Sequence, residues 1–125
     1  MTFGNNPYIY SYNGVPAHEN KMAAHLKIIR MAAYVIVEIS IHDMETYREY
    51  TLLTPQTIAD HGGRFVVRGG QTESLEGDWH PQRIVVLEFP DMGQARAWYD
   101  SQAYAEAKKL RQMSARTKMI LVPGV

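Results

Sequence analysis

A short strand-like run between two pairs of glycines constrains the fold of this chain more than any other stretch. Residues 62–70 read Gly-Gly-Arg-Phe-Val-Val-Arg-Gly-Gly. Because glycine adopts the left-handed backbone conformation at little steric cost, Gly62 and Gly63 predict the end of a preceding helix. Gly69 and Gly70 predict a turn that returns the chain as a neighbouring strand. The stretch therefore predicts a helix, a strand and a second strand in that order.

Alternating apolar residues elsewhere in the chain predict three further strands. They cover residues 33–41, 83–89 and 118–122. The first of these strands has largely apolar residues on both faces, so we expect both faces to be covered.

Capping residues place the helices between these strands. Asp43 predicts a helix from residue 44, and Asp91 and Ser101 predict two consecutive helical segments before the last strand. Since Pro55 lacks an amide donor, we expect the first helix to be bent or broken there and to end at residues 61–62. The resulting order is β-α-β-β-α-β. This is the split βαβ arrangement of a ferredoxin-like α+β domain with a four-stranded antiparallel sheet.

Length and composition exclude several classes of protein. A chain of 125 residues supports one domain. Its 13 basic and 13 acidic residues give no net charge, so no nucleic-acid partner is expected. The absence of cysteine excludes disulfides, thiolate metal sites and cysteine nucleophiles. The longest apolar run, residues 31–37, is too short to cross a membrane, so we expect a cytoplasmic protein with no membrane partner.

Residues 1–30 differ in character from the rest of the chain. Turn-forming Asn, Gly and Pro residues alternate there with three tyrosines. One interpretation is a leader, or sequence upstream of a start at Met22 or Met31. The alternative is an N-terminal arm that docks its tyrosines on a partner subunit. Under either interpretation, the predicted domain spans residues 31–125.

Five segments together resemble one known family, although each alone is a weak signal. They are Tyr-Arg-Glu-Tyr at 47–50, the glycine-bracketed run at 62–70, Leu-Glu-Gly-Asp-Trp at 75–79, Glu-Phe-Pro at 88–90, and Tyr-Asp-Ser-Gln-Ala-Tyr at 99–104. With these segments, residues 32–125 resemble the family called domain of unknown function 1330, a branch of the dimeric α+β barrel superfamily. The resemblance implies a homodimer whose two sheets face each other as a barrel, with the helices outside. The wider superfamily includes cofactor-free monooxygenases, haem-degrading enzymes, isomerases and proteins of no known activity.

The topology predicts a cluster of polar residues at one end of the sheet. Strands one and two run parallel in this fold with strand three between them, so we expect Glu38, Arg68 and Arg83 to lie close together. Arg68 and Arg83 are candidate ligand-binding residues, because a half-buried arginine offers a bidentate fork to a carboxylate or enolate. Glu38 and His42 are candidate catalytic bases, since burial raises a glutamate pKa toward neutrality.

Structural roles compete with these functional ones. Glu38 and Arg68 could neutralise each other within an apolar sheet, because buried charges are usually paired. Tyr99 and Tyr104 are candidate ligand-binding residues that would line a pocket between helices and sheet. Tyrosines in a helical stripe, however, more often pack in the core with one satisfied hydroxyl.

No metal or cofactor is expected. The histidines show no short paired spacing of the kind that metal ligands use. Haem-degrading relatives carry a histidine some turns beyond a helical tryptophan, whereas the corresponding position after Trp98 holds Lys108 and Lys109. The chain also lacks a P-loop, a dinucleotide fingerprint and a G-x-S-x-G elbow.

Two functions fit these observations. The first is a small-molecule-binding domain, extending to a cofactor-free enzyme of oxygenase or isomerase type that acts on a small anionic organic substrate. The second is a non-catalytic dimerisation or interaction module, in which the same polar residues only satisfy each other. An open cavity that reaches Arg68 and Glu38 would favour the first.

Overall fold

The computed structural model describes residues 31–125, so the predicted leader or arm at residues 1–30 lies outside the described residues. The described part contains four strands and three helices, and none of these helices is both long and apolar enough to cross a membrane. In chain order the elements are β1 (Ala33–Ile41), α1 (Met44–Ala59), β2 (Arg64–Arg68), β3 (Arg83–Phe89), α2 (Met92–Tyr99), α3 (Gln102–Ser114) and β4 (Ala115–Pro123).

The strands form one sheet in the order β2-β3-β1-β4, and every neighbouring pair is antiparallel. β1 and β2 therefore run parallel to each other with β3 between them, as the sequence predicts. The second helix of the motif is divided into α2 and α3 at Ser101, whose hydroxyl accepts the amide hydrogen of Tyr104. The predicted ferredoxin-like α+β fold with a four-stranded antiparallel sheet is confirmed.

All three helices pack on one face of the sheet, which we call the inner face. The β1 residues on this face, Val35, Val37 and Ile39, are at most 4% exposed. The core continues through Phe89 of β3 and Trp98 of α2, whose ring centres lie 5.4 Å apart. This face therefore supplies most of the hydrophobic stabilisation of the domain.

No described element covers the opposite face, which we call the open face. Ile36 of β1 pairs with Ile120 of β4 there, and Tyr34 pairs with Val122. The side chains of Ile120 and Val122 are 60% and 38% exposed. Since the described helices all lie on the inner face, the open face is uncovered within one copy of residues 31–125.

Helix α1 is continuous across Pro55, so the predicted break is not found. Tyr50 and Ile58 are buried on either side of the proline, and this packing outweighs the loss of one amide hydrogen bond. The helix ends at Ala59, shortly before its predicted end. In the following turn Gly62 has a φ of 75°, the left-handed conformation that its glycine pair predicts.

Strand β4 begins at Ala115 and not at residue 118 as predicted. Helix α3 ends at Ser114 and passes into the strand without an intervening turn, and Ala115 already pairs with Ile41. The alternation of apolar residues shows only from Lys118 onward, because the first residues of the strand are small or polar.

Candidate functional site

A cavity lies between α1 and the inner face of the sheet, near the end of β1 and the beginning of β3. Its volume is about 30 Å³, room for about two water molecules, and it opens to solvent through a cleft. Most of its wall is apolar and comes from the strands, from Ile58 and from Trp98. The polar side chains in its lining are Tyr47, Tyr50, Thr51, Thr54, Arg68 and Arg83.

Arg83 is the first residue of β3 and pairs with Ile39 on the inner face. Its guanidinium packs on the backbone of Gly69 and lies 5.9 Å from the centre of the Tyr47 ring. The Nε of Arg83 is buried and has no hydrogen-bond partner within residues 31–125. A buried N–H without an acceptor costs about 1–3 kcal/mol, so an acceptor that a ligand brings to Arg83 would relieve this cost.

Arg68 borders the same cavity because β2 contains a β-bulge. Phe65 pairs with Leu87 on the inner face, the register then shifts before Val67, and Arg68 pairs with Val85, again on the inner face. The guanidinium of Arg68 lies 4.0 Å from the centre of the Phe65 ring, and the side chain is exposed. Arg68 therefore contacts both the cavity and solvent, as a residue at its mouth.

The bulge also separates Arg68 from Glu38, which the sequence places beside it. Glu38 lies on the open face of β1, where it pairs with Lys118 of β4. Strict alternation from Arg64 would put Arg68 on that face as well, but the extra residue of the bulge moves it to the inner face. Within one copy of the chain, the predicted cluster of Glu38 with Arg68 and Arg83 is therefore not formed, and Arg68 does not neutralise Glu38.

The second candidate base, His42, also lies outside the cavity. It is exposed between β1 and α1, and its backbone amide donates to the carbonyl of Ser114 at 2.9 Å. Glu38 instead borders a cleft on the open face together with Arg116 and Lys118. Neither of the two candidate bases lines the cavity that Arg68 and Arg83 line.

The two tyrosines that the sequence predicts in a pocket lie in different places. Tyr104 is fully buried, and its hydroxyl oxygen lies 2.9 Å from that of Tyr50. Tyr99 is 37% exposed and borders a separate cleft of about 320 Å³ between α2 and β4. The Lys108 ammonium lies 3.8 Å from the centre of the Tyr99 ring. Tyr104 thus reaches the cavity only through Tyr50, and Tyr99 does not reach it.

Three residues belong to the site although the sequence does not single them out: Tyr47, Tyr50 and Arg111. Arg111 of α3 is only 3% exposed. It donates from Nε to the Tyr104 hydroxyl at 3.3 Å and from Nη1 to the hydroxyl of Thr117. Arg111 follows Tyr104 by two helical turns, so the spacing places both on the buried side of α3. The charge of arginine predicts exposure instead, and in this case the spacing is the better guide.

Burial and positive charge determine the chemistry of the cavity. Burial raises the pKa of the Tyr50 hydroxyl, and the nearby Tyr104 raises it further. Burial also raises the pKa of Tyr47, although the positive charge of Arg83 opposes this effect. Both phenols are therefore neutral hydrogen-bond donors near pH 7. Since the lining contains arginines but no carboxylate and no imidazole, the cavity suits an anion and offers it no conventional general base.

The ion pairs of the described region lie away from the cavity, and none includes Arg68, Arg83 or Arg111. Within residues 31–125, no three His, Asp or Glu side chains come together where they could hold a metal ion. The strongest ion pair joins β2 to β3 on the open face, where Arg64 lies 2.7 Å from Glu88. The others are His80 with Asp78 and Lys109 with Glu106.

Comparison with protein families identifies one match. The model of the family described as Domain of unknown function (DUF1330) matches residues 32–125, which is nearly all of the described region. No curated protein matches the sequence. The family match covers every residue of the cavity lining.

Several solved structures share the fold at low sequence identity. A protein of unknown function from Rhodopseudomonas palustris has a TM-score of 0.65 at 18% identity, over 89% of this chain and 95% of that one. A cofactor-independent oxygenase from Streptomyces nogalater has a TM-score of 0.51 at 12% identity, over 73% of this chain and 90% of that one. A conserved protein of unknown function from Bacteroides thetaiotaomicron, described as a possible oxidoreductase, has a TM-score of 0.51 at 10% identity, over 75% and 98%. At these identities the likeness shows the fold alone.

Proposed function

The chain belongs to the family described as Domain of unknown function (DUF1330), and from this starting point we propose that it binds a small organic anion in the cavity between α1 and the sheet. Arg83 is the anchor for the anionic group, and Arg68 contacts the ligand at the mouth. The observation that carries the proposal is the buried Nε of Arg83, which has no hydrogen-bond partner within the described residues.

The charges around the cavity support this proposal. Arg68 and Arg83 line it, Arg111 lies behind Tyr104, and no carboxylate takes part in the lining. Arg83 is partly buried and has no ion-pair partner within residues 31–125, and a carboxylate partner is what a guanidinium in a mostly apolar lining favours. A carboxylate or enolate supplies the missing negative charge and matches the planar fork of an arginine.

The apolar wall supports an organic ligand over an inorganic anion. Val37, Val85 and Leu87 of the sheet and Ile58 of α1 line the cavity. Apolar walls with a few convergent polar groups are typical of sites for small organic molecules. Because the cavity itself is small, the ligand's acidic end lies inside it and the body of the ligand occupies the cleft.

The chemistry at this site is stabilisation of an oxyanion. Arginine and tyrosine donors stabilise negative charge on a carbonyl or enolate oxygen in a partly dry site. One solved structure of this fold is described as a cofactor-independent oxygenase, which makes an enolate-type substrate the first class to try. The roles of Glu38 and His42 as bases stay predictions from the sequence, since neither side chain lines this cavity.

Thermal shift with a panel of small acids tests the binding proposal. The panel contains benzoate, phenylpyruvate and acetoacetate, each paired with its neutral amide or ester. At a ligand concentration about 100 times the Kd, binding stabilises the folded protein by roughly 2.7 kcal/mol, which is readily measured as a rise in Tm. We expect at least one acid to stabilise the wild type and its neutral counterpart to stabilise it much less.

Two variants, Arg83→Met and Arg48→Met, test whether the thermal stabilisation by small acids comes from binding in the cavity. Arg83→Met removes the charge but keeps most of the side-chain volume, and we expect it to weaken acid binding about tenfold to a hundredfold. Arg48→Met removes an exposed charge from α1 outside the cavity, and it should bind like the wild type. Equal shifts in Arg83→Met and wild type would overturn the proposal.

A second proposal concerns the open face: we propose that two copies of this chain associate through it as a homodimer. Ile120 and Val122 are exposed on β4, next to Ile36 and Val86 of the neighbouring strands. An exposed apolar patch on a sheet is typical of an interaction surface. Association through the open face leaves the helices and the cavity beneath them outside the contact, so dimer formation and ligand binding are compatible.

A further inference from the structure

Tyr50 links the cavity to the buried polar side chains of the core, because it lines the cavity and its hydroxyl is hydrogen-bonded to that of Tyr104. Its hydroxyl oxygen lies 2.9 Å from that of Tyr104, and either oxygen could be the donor in this hydrogen bond. Tyr50 lines the cavity, whereas Tyr104 is 0% exposed and does not. The direction of this hydrogen bond therefore decides which hydroxyl proton is left for a ligand.

Arg111 fixes that direction. A guanidinium can only donate, so the Tyr104 oxygen accepts the hydrogen of Arg111 Nε, 3.3 Å away. If Tyr50 also donated to Tyr104, the Tyr104 hydroxyl proton would have no acceptor among the described residues. Because Tyr104 is fully buried, this proton would be an unpaired donor in the core. Such an unpaired donor costs about 1–3 kcal/mol. When Tyr104 donates to Tyr50 instead, the remaining Tyr50 proton is at the cavity, where water or a ligand accepts it.

We infer that hydrogen bonds run from Arg111 to Tyr104 to Tyr50 and leave the Tyr50 hydroxyl as a donor to the ligand in the cavity. This inference rests on the proposed function and deepens it. Tyr50 is the residue that contacts the ligand, and Tyr104 and Arg111 are positioning residues that act through it. The chain of donors also polarises the Tyr50 O–H bond, since each hydrogen bond in such a series strengthens the next.

The arrangement specifies the chemical class of the ligand. Its polar end must accept hydrogen bonds from Tyr50 and from Arg83 and has nothing in the lining to which it could lose a proton. A carboxylate or an enolate meets this requirement, whereas an amine is cationic near pH 7 and is repelled by Arg68 and Arg83. We therefore assign the site to small carboxylates and enolates, whose acidic end fits the cavity and whose apolar body lies in the cleft.

A measurement without ligand tests the direction of the hydrogen bonds. Tyrosine labelled with ¹³C at Cζ allows each hydroxyl proton to be detected by NMR and its exchange with water to be timed. We expect a slowly exchanging Tyr104 proton, because both of its neighbours are protein groups, and a faster Tyr50 proton. The Tyr50 signal should move in Tyr104→Phe and stay unchanged in Tyr99→Phe, since Tyr99 lies in the separate cleft. A slow Tyr50 proton together with a fast Tyr104 proton would overturn the inference.

Binding of benzoate tests the contact with the ligand. By isothermal calorimetry, we expect Tyr50→Phe to weaken benzoate binding about tenfold and to leave the weak binding of benzamide unchanged. Tyr104→Phe should weaken benzoate binding by a smaller factor, together with the movement of the Tyr50 hydroxyl signal, and Tyr99→Phe should bind like the wild type.

The outcomes separate this inference from the proposal on which it rests. Loss of binding in Arg83→Met with wild-type affinity in Tyr50→Phe would overturn the role of Tyr50 and leave the anion site intact. Absence of benzoate binding to the wild type, with no other acid of the panel bound, would overturn both the anion site and the ligand contact of Tyr50. The direction of the hydrogen bonds would then still be decided by the exchange measurement.

Discussion

Arg83 packs its guanidinium directly on the backbone of Gly69, where any Cβ would collide with Nη1. Gly69 has a φ of +76°, and its amide donates to the carbonyl of Ile84 at 2.8 Å. The glycine is thus required twice, once by the left-handed backbone and once by the close approach of the anchor residue. The turn after β2 is therefore part of the proposed ligand site, since it holds the position of Arg83.

Three Gly→Ala substitutions separate the requirement for a left-handed backbone from the requirement for space beside Arg83. Gly69→Ala should destabilise the fold by about 1–2 kcal/mol through backbone strain alone, and it should also displace Arg83 and abolish acid binding. Gly77→Ala places alanine at a φ of +81° with nothing within 4 Å, so it should be destabilising without affecting binding. Gly70→Ala has neither problem and should resemble the wild type. Urea unfolding and the acid thermal shift measure the two effects.

Normal acid binding in Gly69→Ala would show that the position of Arg83 does not matter for the ligand. Loss of binding in Gly77→Ala would point instead to the connection between β2 and β3 as a whole.

Removal of one buried hydroxyl should be costly in this core. Tyr104→Phe leaves Arg111 Nε without its acceptor and Tyr50 without its donor, so we expect a loss of about 1–3 kcal/mol in the free energy of unfolding. Tyr99→Phe removes a partly exposed hydroxyl and should change stability by less than about 0.5 kcal/mol. Chemical denaturation of both variants measures the difference. Equal stability of the two variants would show that water replaces the missing hydroxyl.

Alkaline pH should destabilise the protein through its buried tyrosines. Burial, followed by the effect of Tyr104, raises the pKa of Tyr50 above its ordinary value of 10.0. The folded state therefore holds this proton more tightly than the unfolded state. The stability linked to Tyr50 is complete below about pH 10 and is lost as pH rises beyond it.

We expect the Tm of the wild type to fall as the pH rises above about 10, and the fall to be smaller in Tyr50→Phe. Tyrosinate absorbance, recorded over the same range, should show one fewer late-titrating tyrosine in the variant. An identical decline of Tm in both proteins would show that other groups control alkaline unfolding.

Charge on the open face should break the proposed homodimer. Ile120→Lys places an unpaired charge in the exposed apolar patch of that face, on the edge strand β4, and by symmetry both subunits carry it. Leu52→Lys makes the same change at a residue of α1 that is 80% exposed, outside the proposed interface. Light scattering at micromolar concentration should report a dimer for the wild type and Leu52→Lys, and a monomer for Ile120→Lys. A monomeric wild type would contradict the proposal.

The fold could be predicted from the sequence because its signals are local and agree with one another. The glycine pair at residues 62–63, the caps Asp91 and Ser101, and the alternation along β3 each place one element, and the order of elements leaves one topology. Of the predicted bend or break at Pro55, the break does not occur, because packing on either side of the proline overrides a local preference.

The site was only partly predictable, because it depends on which face a side chain lies on. Arg83 was placed correctly on the sheet, but the partners of Arg68 were not, since no Gly or Pro marks the irregularity in β2. Arg111 illustrates the second difficulty. A charged residue on a helix is normally exposed, and only the three-dimensional arrangement shows that Tyr104 and Thr117 accept its hydrogen bonds.

The irregularity between Phe65 and Val67 has a consequence for the whole molecule. The two sides of this sheet lead to different environments, one to a ligand cavity and the other to the proposed subunit contact. One additional backbone residue decides which of them receives the charge of Arg68. An insertion or deletion of one residue in β2 before Arg68 would thus move this side chain from the proposed ligand cavity to the proposed subunit contact, although Arg68 itself would be unchanged.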